Sequence, residues 1–295
     1  MIKVQTSELV SKIKSPNTKQ FLNLWKEYRP FIIEGVAKNW DACNKWTNDY
    51  LIKHCGDNIV TVFFFKQDFL ESHKNFAYES AFELVNDMTY KEFLDKANNS
   101  EDRMVCYLNT GFEECFPEII EDVNYPEYFK SKPNVILWHG FSNKSFSSTS
   151  TLHFDKIHNI FVQIRGKKRI VLFPPSDYLS FYPPLESGQG IGHNSKVNPD
   201  DINLESFPNF PWKEKIEVVL QPGEILYIPP FWWHHVTAID ENISLSFWYD
   251  IKIKDFVMQK KMLPIFLNIA PPYLRHAISS GESLMHTMDF FKGII

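Results

Sequence analysis

The rhythm of apolar and polar positions changes twice along the chain. From Ser7 to about Glu114, stretches with helical character (near Thr18 to Tyr28, Trp46 to His54 and Thr89 to Asn98) alternate with short apolar runs at Phe31 to Glu34, Ile59 to Phe65 and Val105 to Leu108. These predict helices and short strands in turn. From about Pro133 to Tyr249 the short runs dominate and predict a β-rich part. After Asp250 the pattern turns helical again: Leu274, Ala277, Ile278, Leu284, Met285, Met288 and Phe291 recur every three to four residues and form one apolar stripe. Pro264 and the Pro271-Pro272 pair are expected to break this tail into two helices.

Inside the β-rich part, residues 159–175 read as an apolar strand, a turn at Gly166 and a second β-branched strand closed by Pro174-Pro175, and the expectation is a hairpin. On the second strand Lys168, Ile170 and Leu172 share a face. If that face is interior, Lys168 is a buried ammonium that needs an anionic partner, which a dicarboxylate would supply. In the opposite register it is one of three solvated turn cations, with Lys167 and Arg169. Periodicity leaves both open. Ser187 to Asn194 is polar and Gly-rich, too long for a tight turn, and reads either as a rim of the site or as a solvated loop.

The candidate chemistry lies in Thr151-Leu152-His153-Phe154-Asp155 and, farther along, in Pro229-Pro230-Phe231-Trp232-Trp233-His234-His235-Val236. In an extended strand His153 and Asp155 project to the same side and can bind one ion. His234 is the candidate third ligand, because the strand-like Ile225 to Ile228 and the following prolines would deliver it to the interior. His235 points the other way on a strand and is the alternative. Two imidazoles and one carboxylate leave neighbouring positions open, the arrangement of non-haem Fe(II) oxygenases. Hydrolytic zinc sites use the same donors, but this chain has no HExxH to supply the general base. A His-x-Asp taken alone also fits two ordinary buried residues.

Composition narrows the class. With 44% hydrophobic and 23% charged residues, 26 Phe and 8 Trp, the 295-residue chain is globular and suited to a β-rich core. A net charge of −5 argues against general affinity for nucleic acid, although residues 165–169 form a local basic run. The 4 cysteines lack CxxC or zinc-finger spacing and read as reduced thiols. No apolar leader or membrane-length run is seen, so the expectation is a soluble cytoplasmic protein, with a nuclear location open, and no membrane partner.

Taken in order, these residues resemble the JmjC-domain (cupin-like) oxygenases that depend on Fe(II) and 2-oxoglutarate. The resemblance is strongest to the small hydroxylase branch, which includes the asparaginyl hydroxylase inhibiting hypoxia-inducible factor, the JmjC lysyl hydroxylases and the wybutosine-pathway tRNA hydroxylase. It runs from Arg29-Pro30-Phe31-Ile32-Ile33-Glu34-Gly35 through Phe247-Trp248-Tyr249.

The resemblance implies a mainly β fold with α decorations and a double-stranded β-helix (jelly-roll, cupin-like) core. On that reading residues 1–114 form an N-terminal α/β segment packing on and extending the barrel, 115–250 the catalytic core, and 251–295 C-terminal helices through which this branch forms homodimers. It puts the iron ligands on His153, Asp155 and His234, the last through the family's WHxV pattern. It puts the 2-oxoglutarate contacts on Lys168, Asn159, either Ser150 or Thr151, and Tyr107. Ser246 stands where the asparaginyl hydroxylase has Asn, which leaves that contact altered. The implied cofactors are Fe(II), 2-oxoglutarate as co-substrate and O2, and the implied reaction is decarboxylation to succinate and CO2 coupled to hydroxylation of a substrate C–H. A protein or peptide side chain is the leading substrate. A modified tRNA nucleoside, a histone methyl-lysine and a non-catalytic cupin-like binding role are the alternatives.

Overall fold

The computed structural model describes residues 10–66, 84–99, 104–142, 147–183 and 193–279. Its chain order is β1 (Ser11–Lys14), α1 (Thr18–Trp25), β2 (Phe31–Glu34), α2 (Asp41–Lys45), α3 (Asn48–Cys55), β3 (Ile59–Lys66), β4 (Leu84–Thr89), α4 (Tyr90–Asn99), β5 (Met104–Gly111), α5 (Phe112–Cys115) and β6 (Asn134–Gly140). There follow β7 (His153–Phe154), β8 (His158–Arg165), β9 (Lys168–Phe173), β10 (Ile216–Leu220), β11 (Ile225–Ile228), β12 (Trp233–Ala238), β13 (Asn242–Tyr249), α6 (Ile253–Met258) and α7 (Met262–Ser279). No helix of the described residues is long and apolar enough to cross a membrane.

Among the described residues the strands form a nine-stranded sheet, in the order β1-β2-β11-β8-β13-β6-β5-β3-β4, and a four-stranded sheet, in the order β10-β9-β12-β7. Together they are the two facing sheets of a cupin-like jelly roll. Alternation along each strand of the larger sheet divides its residues between two cores. Val135, Leu137, Ile160, Val162, Leu245 and Phe247 face the N-terminal helices. Phe161, Leu226 and Ile228 face the smaller sheet, where Ile170, Leu172 and Phe173 meet them. Helix α1 begins at Asn17, whose side chain accepts from Gln20 N while the Gln20 side chain accepts from Asn17 N, and it buries Phe21 and Trp25 against the first core.

The strands on either side of Gly166 do not pair as a hairpin. β8 lies between β11 and β13 in the larger sheet, and β9 lies between β10 and β12 in the smaller one. Gly166 therefore makes a corner between sheets. It has φ of +65°, and a Cβ there would collide with the Glu241 carbonyl oxygen and lie 2.9 Å from Asn242 Cα. Glycine meets both demands. The step resembles a hairpin in sequence because strand, turn and strand have the same local pattern wherever the strands go on to pair.

In the C-terminal segment the break falls at residues 259–261, before Pro264, and α7 runs on through Pro264, Pro271 and Pro272. Pro264 sits in the first turn, where its missing N–H has no intrahelical partner to lose. The stripe positions Leu284, Met285, Met288 and Phe291 lie outside the described residues, as does residue range 184–192 of the Gly-rich connection.

Candidate metal centre

β7 and β12 lie side by side and antiparallel, with His153 opposite His234 and Phe154 opposite Trp233. The chain enters β12 through Pro229, Pro230 and a left-handed Phe231 at φ +63°, whose N–H donates to the Asp155 carbonyl at 2.7 Å. That bond ties the end of the His-x-Asp segment to the start of the second ligand strand. The rings of His153 and His234 have centroids 4.2 Å apart, and Asp155 Oδ2 lies 3.6 Å from His234 Nε2. One ligand atom from each of the three falls within 4.8 Å of the others.

The backbone fixes which imidazole nitrogen is free. His153 Nδ1 is 2.9 Å from the Thr151 carbonyl and His234 Nδ1 is 3.0 Å from the Trp232 carbonyl. A carbonyl only accepts, so each Nδ1 carries the proton and each Nε2 presents a lone pair. Burial lowers the pKa of His234 to about 4, which keeps that ring neutral at physiological pH. Neutral imidazoles and a carboxylate suit a divalent transition metal. His235 faces the other way, its Nε2 3.2 Å from Asp200 Oδ2 and 3.3 Å from Thr149 Oγ1.

Lys168 points between the sheets. It is 3% exposed, its Nζ donates to Ser244 Oγ at 2.7 Å, and the same atom lies 5.3 Å from the centre of the Phe161 ring. No carboxylate among the described residues pairs with it, and burial lowers its pKa to about 7. Its flanking cations take opposite roles: Lys167 is exposed, and Arg169 bonds Glu217 and Asp200 on the outer face. Four residues along β9 from Lys168, Leu172 lies opposite His234. At ~3.3 Å per residue that is a rise of about 13 Å along the strand.

The other predicted contacts fall unevenly. Asn159 is 4% exposed and its Oδ1 has no partner. The Ser150 hydroxyl is spent on main chain, donating to the Thr151 carbonyl and accepting from Val236 N, whereas Thr151 Oγ1 donates to Asn194 Oδ1 at 2.8 Å. Ser246 Oγ accepts from Trp138 Nε1 at 2.9 Å. Tyr107 pairs through its backbone with Gly140, and its side chain lies outside the described residues.

Three further residues that sequence reasoning did not name as site residues border the site. His193 and Asn194 lie against β7, with His153 bridging to Asn194 and Phe154 N donating to the His193 carbonyl. They end the Ser187 to Asn194 connection that the sequence reads as rim or loop, and the strand they pair with lies forty residues earlier. Ser244 had a visible signal: Ser244, Ser246 and Trp248 are alternate positions of an otherwise apolar strand, so they share a face. His158, the residue before Asn159, is fully buried among Tyr227, Asp255 and Trp25. The arginines of the basic run are likewise paired, Arg165 bonding Glu241, Asn48 and the Trp46 carbonyl and Arg169 bonding Glu217 and Asp200.

The profile of the cupin-like domain family matches residues 17–255 of the 295. The chain belongs to that family. This cupin-like chain is 28% identical over 250 residues to lysine-specific demethylase 8 of Xenopus tropicalis, covering 81% of this chain and 52% of the relative. It is 31% identical over 229 residues to lysine-specific demethylase JMJ30 of Arabidopsis thaliana, covering 75% and 49%. It is 28% identical over 249 residues to tRNA wybutosine-synthesizing protein 5 of Danio rerio, covering 77% and 70%. The cupin-like chain is thus of the JmjC kind, and it spans about half the length of the demethylase relatives it matches.

Proposed function

We propose that this cupin-like domain is an Fe(II)- and 2-oxoglutarate-dependent dioxygenase that hydroxylates a protein or peptide side chain. The observation that carries the reading is the pairing of two features on one face of the smaller sheet. One is a His pair with a carboxylate, ligand atoms within 4.8 Å; the other is a buried amine without a carboxylate partner among the described residues, farther along the same gap between sheets. A lone buried amine in an apolar cleft is unfavourable unless an anion completes it. A dicarboxylate long enough to reach both features answers that need.

In this reading His153 and His234 would hold the metal through Nε2 and Asp155 through a carboxylate oxygen. Lys168, steadied by Ser244, grips the distal carboxylate, and Asn159 and the Ser150-Thr151 segment border the co-substrate. Phe161, Ile170 and Leu172 exclude water from the cavity. The bound ferrous ion and oxo acid supply the O2 activation that yields succinate, CO2 and one oxygen on the substrate.

Hydroxylation of a modified tRNA nucleoside is the second reading, favoured by the 70% coverage of the wybutosine-synthesizing relative. A protein substrate is preferred because Arg165 and Arg169 are neutralised by Glu241, Glu217 and Asp200, which leaves little cationic surface there for a phosphate backbone. The test incubates the protein with Fe(II), ascorbate and 2-oxoglutarate beside a peptide library or total tRNA. Succinate release with a one-oxygen mass gain in peptide is expected; a gain confined to tRNA would overturn the preferred substrate, and no succinate with either would overturn the activity.

A further inference from the structure

The carbonyl that orients His234 belongs to Trp232, and Trp232 lies in no strand. Residues 229–232 connect β11 to β12, and Pro229 and Pro230 have no N–H with which to bond a neighbour. The main-chain donors left are Phe231 N, which goes to the Asp155 carbonyl, and Trp232 N, which makes a long 3.3 Å bond back to the Pro229 carbonyl. Phe231 is left-handed at φ +63°, a conformation that a bulky residue keeps only where its surroundings enforce it. Such a turn depends on an anchor from elsewhere in the fold.

Tyr28 is that anchor, and it grips twice. Its hydroxyl donates to the Pro230 carbonyl, and its own carbonyl accepts from Trp232 Nε1 at 3.2 Å. The Pro230 carbonyl and the Phe231 N–H belong to one planar peptide group. That group is therefore pinned at both ends, by Tyr28 on its oxygen and by the Asp155 carbonyl on its N–H. Tyr28 is 2% exposed, and burial raises its pKa well above the usual phenol range, so the hydroxyl keeps the proton it donates. It is itself left-handed, at φ +55°, just past α1, with its N–H on the Trp25 carbonyl at 3.1 Å. The end of α1 thus reaches the segment that carries one ligand and the main chain of another.

We propose that Tyr28 is a positioning residue of the metal centre. By fixing the 230–231 peptide and the Trp232 indole, it holds the Trp232 carbonyl to which His234 Nδ1 donates, and with it the direction of the His234 Nε2 lone pair. The proposal rests on the ligand assignment above.

The experiment uses the full chain and cobalt(II), an ion whose visible absorption reports its coordination geometry. Tyr28→Phe keeps the ring and removes the hydroxyl. It should raise the dissociation constant for cobalt(II) about tenfold, the low end of the range for losing an outer partner of a metal ligand, and alter the visible spectrum at saturation. Tyr249→Phe is the control: its hydroxyl also donates to a proline carbonyl, that of Pro126 at 3.0 Å, but from the core against the N-terminal helices. That variant should melt at a lower temperature while binding cobalt(II) as wild type does. Should Tyr28→Phe fail to fold, Trp232→Phe removes the indole bond and keeps the orienting carbonyl, and the same weakening is expected of it. A wild-type constant and spectrum in the folded Tyr28 or Trp232 variant would overturn the proposal, and so would an equal weakening in Tyr249→Phe, which would mark a general loss of stability. If the wild-type chain binds no cobalt(II), the ligand assignment itself falls and takes this proposal with it.

Discussion

Lys168 Nζ and Ser244 Oγ meet at 2.7 Å across the gap between the two sheets, with Lys168 on the smaller and Ser244 on the larger. The hydroxyl gives the amine a polar neighbour without giving it a counter-charge. The Phe161 ring, 5.3 Å away, adds a weak attraction for the cation that does not replace a carboxylate. Desolvation therefore dominates, and the amine sits near pKa 7 in place of its ordinary 10.5.

That shift makes stability depend on pH with a definite sign. Between about 7 and 10.5 the unfolded chain keeps the Lys168 proton and the folded chain releases it. The unfolded state then binds more protons, so this residue's contribution to stability rises with pH across that window. Below pH 7 both states are protonated and the full cost of burying the charge is borne. Lys168→Met should be more stable than wild type near pH 6 and should flatten the rise toward pH 10, measured by urea denaturation without ligand. Parallel curves for the two proteins would contradict the assignment.

Co-substrate binding should reverse the ionisation. At pH 8 most of the free amine is neutral, and a carboxylate entering beside it favours the ammonium. Binding of 2-oxoglutarate should therefore take up protons above pH 7, read as a dependence of calorimetric heat on the buffer's ionisation enthalpy. Lys168→Ala should raise the Michaelis constant for 2-oxoglutarate by roughly ten- to a hundredfold, the range for a lost charged hydrogen bond. An unaltered constant would remove Lys168 from the co-substrate site.

Asp155→Ala isolates the metal. The carboxylate lies 3.6 Å from His234 Nε2, and its side chain is partly exposed, so its loss leaves little cavity. The fold should survive, while succinate production is abolished. A ligand present at a hundred times its dissociation constant stabilises the folded state by about 2.7 kcal/mol. Added zinc or manganese should accordingly raise the melting temperature of wild type and leave that of Asp155→Ala nearly unmoved. Equal metal-induced shifts in both proteins would sink the carboxylate's role.

What the sequence makes legible is set by range. The parity of His153 and Asp155, and of Lys168, Ile170 and Leu172, follows from strand geometry alone, and the structure turns each set to one face. The choice between an inward and a solvated Lys168 needed the registers of β9 with β10 and β12, which no local pattern contains. The same limit hides the corner at Gly166, because a turn's residues report its dihedral angles and not which sheet the next strand joins. His193 and Asn194 come to the site through an edge pairing with β7, and His158 is drawn inward by Tyr227, Asp255 and Trp25; both are tertiary facts.

Gly166 is the position where a single methyl group should be felt most. Its φ of +65° is strained for any L-residue, and the added Cβ meets main chain on the Glu241–Asn242 side, which cannot swing away as a side chain could. Gly166→Ala should lose about 2 kcal/mol or more, from the left-handed conformation and the collision together. Because the corner sets where Lys168 enters the cavity, the variant should also bind N-oxalylglycine less tightly. A urea midpoint equal to that of wild type would show that the corner relaxes freely.

The C-terminal helices bear on assembly. Ile253 and Val257 on α6 are 65% and 74% exposed, and Leu263 and Leu267 on α7 are 45% and 58% exposed. Each pair is four residues apart and so shares a helix face. Apolar side chains arranged this way on adjoining helices are a surface that association would cover, and a two-fold pairing presents the same face from both copies. The expected outcome is a homodimer in solution by light scattering. The double variant Val257→Glu, Leu267→Glu should run as a monomer, because dimerisation would bury charge against charge. Its metal binding should be intact, since neither residue lies near His153, Asp155 or His234 in the two sheets. A wild-type chain that is monomeric at tens of micromolar would refute the dimer.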